Sequence, residues 1–277
     1  MEHIRMTRDG AVGIITIDRR DRFNSMDVAT AQEFRKAGLQ FARAEDVRCV
    51  VIRGAGGVFC SGADLKYIRE KGDAEDFGYL QPRGVGPKQG FGESFKQILE
   101  YIHSTISEIK RAPKPFIAAV DGVAAAGGFG IAMACDLVFA SENASFEWAY
   151  LKTGLTGAES STFFMPRLLG LRKAMELVLL NPHLTAQQAK DLELVNAVFA
   201  AETFETEVMQ IAQRLAAGPT QAYAVAKSLL NQAAGVDQLD YHLDEELQHL
   251  ARIADGQDFA EGLAAFFGKR AAAFKGQ

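Results

Sequence analysis

Two short stretches of this sequence hold backbone groups in a pattern that can do chemistry: Phe59-Cys60-Ser61-Gly62-Ala63-Asp64-Leu65-Lys66 and the glycine turn Gly127-Gly128-Phe129-Gly130. Each follows a strand-like run and opens a helix-like one, so each presents unpaired N–H groups at a helix start. Two such donors aimed at one point make an oxyanion hole, which holds negative charge on a carbonyl oxygen while a neighbouring carbon reacts. Glycine suits the second turn because backbone without a side chain approaches a ligand closely. Taken alone, Gly127-Gly128 equally fits close helix–strand packing. Other glycine-loop chemistries fail on detail. Gly57 to Gly62 has the span of a phosphate loop, yet Ala63 stands where lysine is required. The second turn does not match the dinucleotide fingerprint, and Ser61 lacks the glycine two residues earlier that a nucleophile elbow needs.

The elements that must position these turns are legible in part. Residues 12–18, 48–54, 115–120 and 137–140 read as short β-branched-rich strands ended by Gly or Asp. Phe95, Ile98, Leu99, Ile102, Ile106 and Ile109 make one apolar stripe at helical spacing. Alternation of strands and helices predicts an α/β core. From about residue 161 the pattern becomes nearly continuous helix, interrupted at Asn181-Pro182-His183, Gly218-Pro219 and Gly235-Val236. Leu239, Leu243, Leu247 and Leu250 form one helical face there, and Phe259, Leu263, Phe266 and Phe267 another. These faces are too apolar to stand alone and must pack on the core, on another subunit, or on both. Residues 83–92, with four glycines and a proline, read as a loop, either a border of the site or an inert insertion. There is no internal sequence repeat.

Composition narrows the class. A chain of 277 residues, 48% hydrophobic, is long enough to bury a substantial core. Its net charge of -5 gives no footprint for nucleic acid or an anionic membrane. No apolar run approaches the ~20 residues that span a bilayer, and the start of the chain has no signal core. Cys49, Cys60 and Cys135 are odd in number and widely spaced, which predicts reduced thiols rather than bridges or a metal site, and a cytoplasmic setting.

The two turns resemble those of the enoyl-CoA hydratase/isomerase, or crotonase, family, and the likeness runs nearly the whole chain. It includes Phe23-Asn24-Ser25-Met26, the segment Pro115-Phe116-Ile117-Ala118-Ala119-Val120-Asp121-Gly122, the run Ala134-Cys135-Asp136, and the closing Glu261-Gly262, Ala265-Phe266 and Lys269-Arg270. The resemblance implies a spiral of strand-strand-helix turns over residues 1–200 that carries a coenzyme A thioester site. It implies a C-terminal helical region over 201–277 that builds a homotrimer, often paired into a hexamer. In that family the amides at the positions of Ala63 and Gly127 form the oxyanion hole. Ser61, Ala63, Asp64, Leu65 and Lys66 resemble the segment that lines the coenzyme, and Phe266 and Lys269 resemble residues that reach a neighbouring subunit's coenzyme. The implied partner is an acyl-CoA substrate, with no other cofactor and no metal.

Acid–base groups depart from the family pattern. Hydratases of the family carry glutamates where this chain has Gly130 and Tyr150. The run from Ala149 to Ser161 is closer to an isomerase-like branch, although Gly157 and Ala158 stand where that branch often has proline and aspartate. A related branch that removes halogen from aryl-CoA thioesters uses a carboxylate at the position of Ala158, which argues against that chemistry here. Glu159 is the remaining general base, with Tyr150 donating a hydrogen bond or shaping the acyl pocket. Equally, Glu159 caps the helix that begins near Ser160. Five histidines lack metal-ligand spacing, and His103 reads as a satisfied, partly buried residue. Trp148 lines the acyl cavity or the core, and Asp64 and Asp136 read as turn caps. The function this implies is double-bond isomerisation of an enoyl-CoA. Water addition is the alternative within the class, and a non-catalytic acyl-CoA binder or an oligomeric scaffold are the alternatives outside it.

Overall fold

The computed structural model describes residues 1–70, 72 and 90–277. Most of the loop expected over 83–92 lies outside the described residues; Gly90 precedes a helix and residues 91 and 92 open it. The chain starts with an antiparallel hairpin of β1 (Ile4–Asp9) and β2 (Val12–Ile17), followed by α1 (Val28–Arg43). Three turns of a spiral follow. The first is β3 (Cys49–Gly54), β4 (Val58–Cys60) and α2 (Leu65–Arg69). After the long helix α3 (Phe91–Arg111), the second is β5 (Phe116–Val120), β6 (Val123–Ala125) and α4 (Gly127–Ala134). The third is β7 (Leu137–Ser141) and β8 (Ser145–Glu147), leading through a 3-10 turn at Tyr150–Thr153 to α5 (Ser161–Leu169). The strand-strand-helix unit therefore repeats in space although no repeat is visible in the residues.

Each spiral turn gives its first strand to one sheet and its second to another. The long sheet has the order β1-β2-β3-β5-β7 and ends on β10 (Ala197–Phe199), parallel except for the first hairpin. The short sheet has the order β4-β6-β8 with β9 (Leu184–Thr185) antiparallel at its edge. The four strands expected from sequence are all present. The remaining strands are β1, a mostly exposed strand at the sheet edge, and strands of two or three residues, too short to show any period. The two that fall after residue 161, β9 and β10, break the expected run of helix.

All six stripe residues of α3 are buried, each worth ~1.5–3 kcal/mol when taken fully out of water. The remaining helices are α6 (Leu171–Leu180), α7 (Ala186–Asp191), α8 (Phe204–Ala217), α9 (Thr220–Ala233), α10 (Leu239–Ala254) and α11 (Gln257–Gly268). Val208 and Ala212 of α8 cover the outer face of the long sheet in a cluster with Val51, Ile117 and Phe139. The leucine face of α10 is buried and packs against α3. On α11, Phe259 and Leu263 are buried, but Phe266 is 55% exposed because it turns toward a cavity rather than the core.

Asp136 is not the turn cap expected. Its carboxylate accepts from Lys227 at 2.7 Å, Lys110 at 3.2 Å and the Phe116 amide at 2.9 Å, tying α9, α3 and β5 together. The three cysteines are free and buried, and burial pushes each thiol up to about 12. No helix among the described residues is long and apolar enough to cross a membrane, and no described cluster of His, Cys, Asp or Glu gathers to hold a metal.

Candidate active site

The carboxyl ends of β4, β6 and β8 lie side by side in the short sheet, so three successive spiral turns deliver their following residues to one place. A cavity of about 470 Å³ opens there, lined by Ser61 and Ala63–Lys66 after β4, Gly127 after β6, and Tyr150 after β8. Glu159 and Phe266 also face it. Of the residues assigned from sequence to the oxyanion hole, the acid–base pair and the coenzyme segment, Lys269 is the one not among those lining this cavity. It ends α11 on the exposed surface. Phe266, expected to serve a neighbouring subunit, lines the cavity of its own chain.

Ala63 and Gly127 reach the cavity by different devices. Met26 donates to the Gly62 carbonyl and accepts from the Asp64 amide, both at 2.8 Å, a bridge that holds Ala63 between its own two bonded neighbours. Asn24, fully buried, anchors that approach by donating to the carbonyls of Ala55 and Val58. This explains the Phe23-Asn24-Ser25-Met26 motif. Gly127 is the first residue of α4 and follows Ala126, held at φ 47° and ψ -117°, a strained conformation that costs ~1–3 kcal/mol and persists where surroundings enforce it. Among the described residues neither the Ala63 nor the Gly127 amide has a protein acceptor. The turns are close: a Cβ on Gly62 would stand 3.2 Å from the Gly127 nitrogen.

Glu159 is 3% exposed, with its carboxylate beside Gly127: a Cβ on that glycine would lie 2.8 Å from Glu159 Oε1. The Tyr150 hydroxyl donates to Glu159 Oε2 and lies 3.1 Å from the Ala158 carbonyl oxygen. Burial pushes the Glu159 carboxyl up to about 8, opposed by the Tyr150 hydrogen bond and aided by the charge of Glu246. Burial also raises Tyr150 well above its ordinary range. The capping reading of Glu159 is replaced by another residue. Glu246 of α10 accepts from the Ser160 amide at 2.8 Å, the Thr162 amide at 3.1 Å and the Thr162 hydroxyl, and so caps α5 from outside.

Asp64 caps α2, as expected, but its carboxylate is also held by Arg19 at 2.8 Å and Arg22 at 2.6 Å. These arginines were not anticipated; the only sequence signal was the basic run just before Phe23. Asp64 is 3% exposed, and although burial disfavours its charge, the arginines and the cap hold its carboxyl below the usual range. Trp148 is core, donating to Ser161 Oγ at 3.2 Å, and does not line the cavity. Glu147, one residue earlier, does line it, with its carboxylate held by Asn181 and Lys152. Over the mouth, Arg69 of α2 stacks 3.8 Å from the centre of the Phe267 ring. Gly262 lets α11 come this near, since a Cβ there would collide with the Thr153 carbonyl.

A β-β-α spiral that brings two acceptor-free amides and a buried carboxylate to the ends of adjacent strands is an arrangement suited to activating a carbonyl. The sequence matches the profile of the Enoyl-CoA hydratase/isomerase family over residues 7–83 and 88–277, and the chain belongs to that family, an enzyme of the crotonase superfamily acting on acyl-CoA. It is 31% identical over 277 residues to the 1,2-epoxyphenylacetyl-CoA isomerase of Escherichia coli (strain K12), covering all of both chains. It is 30% identical over 267 residues to a 4-chlorobenzoyl coenzyme A dehalogenase of Arthrobacter sp., covering 96% of this chain and 91% of that one. Among solved structures, an enoyl-CoA hydratase from Mycobacterium avium subsp. paratuberculosis K-10 superposes with a TM-score of 0.84 at 32% identity, over 99% of this chain and 98% of that one.

Proposed function

We propose that this enzyme moves a double bond along an acyl chain held as a coenzyme A thioester. The amides of Ala63 and Gly127 hold the thioester oxygen, so that when a proton leaves the α- or γ-carbon the electron pair spreads onto that oxygen as a dienolate. Glu159 takes the proton and returns it to the other carbon, restoring the thioester with its double bond displaced. One group serves both steps because a carboxyl near pKa 8 gives and receives protons with little driving force against either. Tyr150 holds the carboxylate in place.

The observation that carries this reading is the Glu159 carboxylate, buried beside Gly127 and relieved of helix capping by Glu246. The segment Ser61 to Lys66 receives the coenzyme, with Asp64 contributing backbone because its side chain is occupied by arginines. Lys66, exposed at the mouth, offers a point charge to a phosphate. The proposed steps need no group besides the substrate. The apolar faces of α6 and α9, with Leu179, Leu180 and Leu230 each more than 60% exposed, are read as contacts between copies in a trimer or dimer of trimers. There Lys269 of one copy serves another's coenzyme. A cytoplasmic setting agrees with three free buried thiols.

Exchange of α- and γ-protons into deuterated water, followed across a panel of enoyl-CoA thioesters, tests the assignment. Glu159→Gln is expected to bind thioester and lose exchange and isomerisation together; unchanged turnover removes Glu159 as the base. Water addition is kept as a second reading because Glu147 places another carboxylate on the same cavity. Net uptake of water by the enoyl thioester that disappears in Glu147→Gln moves the assignment to hydration.

A further inference from the structure

Glu159 and Ser160 are consecutive non-glycine residues in the left-handed region, at φ 50° and 62°. Each such residue costs ~1–3 kcal/mol and persists only where neighbouring structure over-determines it. A free loop of this sequence would relax toward ordinary backbone angles and swing the Glu159 side chain off its line to Gly127. Something outside the loop must hold it.

The holding groups come from two helices remote in sequence. On α3, His103 is 6% exposed, and its Nε2 accepts the Glu159 amide proton at 3.1 Å. On α10, Glu246 is 5% exposed and takes the Ser160 amide with Oε2 and the Thr162 amide and hydroxyl with Oε1. Both amides of the strained turn, and the Thr162 amide in the first turn of α5, are thus each fixed by a buried side chain, while Tyr150 grips the carboxylate itself. Neither His103 nor Glu246 lines the cavity. We propose that His103 and Glu246 are positioning residues that clamp the Glu159–Ser160 turn and so keep the Glu159 carboxylate beside Gly127. This rests on the reading of Glu159 as the proton-transfer group.

The two halves of the clamp differ electrically. The groups that face the Glu159 carboxylate are Tyr150 from the 3-10 turn, Cys60 from β4 and Glu246 from α10. His103 from α3 and His242 from α10 face Glu246 at 3.8 and 3.7 Å. Burial keeps His103 neutral by lowering it to about 3, so it acts as an acceptor without charge. Glu246 adds a second buried negative charge behind Glu159, which makes the Glu159 proton harder to remove. A structural role alone would not connect Glu246 to the ionisation of Glu159.

The test compares Glu246→Gln, His103→Leu and His103→Gln with wild type and with Glu159→Gln. It measures thioester affinity, deuterium exchange and the pH profile of kcat. Displacement of the carboxylate by about an ångström is expected to lower kcat ~10- to 100-fold with thioester affinity kept. In Glu246→Gln the acid limb of the profile also moves to lower pH, because removal of the second charge lets Glu159 ionise sooner. His103→Leu lowers kcat with the limb unmoved, and His103→Gln, which keeps an acceptor, restores much of the loss. Should Glu246→Gln not fold, the His103 pair carries the same decision. Unchanged kcat in His103→Leu, or loss in Glu246→Gln confined to KM with the acid limb in place, overturns the clamp. Retained exchange in Glu159→Gln instead overturns the reading beneath it, which separates the two failures.

Discussion

Glu159 occupies the space that a side chain at Gly130 would need: a Cβ at position 130 would collide with the Glu159 carbonyl oxygen and stand 2.8 Å from the Glu159 Cβ. The absence of a glutamate at 130 and the presence of the Glu159 turn are therefore one arrangement. The chain exchanges a carboxylate rooted in α4 for one delivered by the turn before α5.

Gly130→Ala should consequently injure the site. The added methyl group meets backbone of the strained turn, and overpacking of this kind costs ~1–3 kcal/mol. The expected result is a lower midpoint of thermal unfolding together with at least a tenfold loss of isomerisation; a variant as active and as stable as wild type would show that the turn is not held against α4.

Adjacent glycines should separate activity from stability. A Cβ on Gly127 meets the end of the Glu159 side chain, 2.8 Å from Oε1 and 3.0 Å from Cδ, and that end can swing away. A Cβ on Gly128 meets the Cys60 carbonyl, which is strand backbone and cannot. Gly127→Ala is expected to keep its unfolding midpoint and lose ~100-fold in kcat through displacement of the carboxylate. Gly128→Ala is expected to lose stability first. Calorimetry and initial rates on both variants decide the matter.

Activity and stability should move oppositely with pH. Glu159, raised to about 8, and Glu246, raised to about 7, both bind protons more tightly in the folded chain than in the unfolded one. Their contribution to stability is fully present below the ordinary carboxylate range near 4.5 and is lost as pH rises through about 7 to 8. Each proton contributes up to ~1.4 kcal/mol per pH unit across that window. The base form of Glu159 grows over the same upper range, so kcat should rise as stability falls. Urea unfolding from pH 5 to 9 is expected to flatten in Glu159→Gln; identical slopes for wild type and variant would remove the coupling.

Apolar faces on α6 and α9 should decide assembly. Leu180 and Leu230 are 75% and 70% exposed. Leu180→Glu combined with Leu230→Glu is expected to reduce the mass measured by light scattering to that of one chain. An unaltered mass would place the contact elsewhere.

Much of the site was legible because its central parts are local. A strand end, a glycine turn and a helix start lie within a few residues of one another, so the sequence around Ala63 and Gly127 announces two free amides without any long-range information. The stripe of α3 and the leucines of α10 were legible for the same reason: a helix repeats its buried face every three or four residues. Glu246 left one trace, a charge at a position that belongs to the buried face between Leu243 and Leu250. A buried charge needs partners, and sequence gives no account of which.

What the residues alone determined, then, is an α/β core and two glycine turns that open helices, which follow from short motifs and local periodicity; the spiral and the pairing of the Ala63 and Gly127 amides came from the family likeness those motifs carry. Tertiary structure decided the rest: that Glu159 faces the cavity instead of capping α5, that Glu246 and His103 hold its turn, and that Phe266 lines its own chain's cavity. The clamp depends on contacts between residues 56 to 86 positions apart, from His103 to Glu159 and from Ser160 to Glu246. The energy of a buried carboxylate is set by such neighbours, and only the folded chain brings them together.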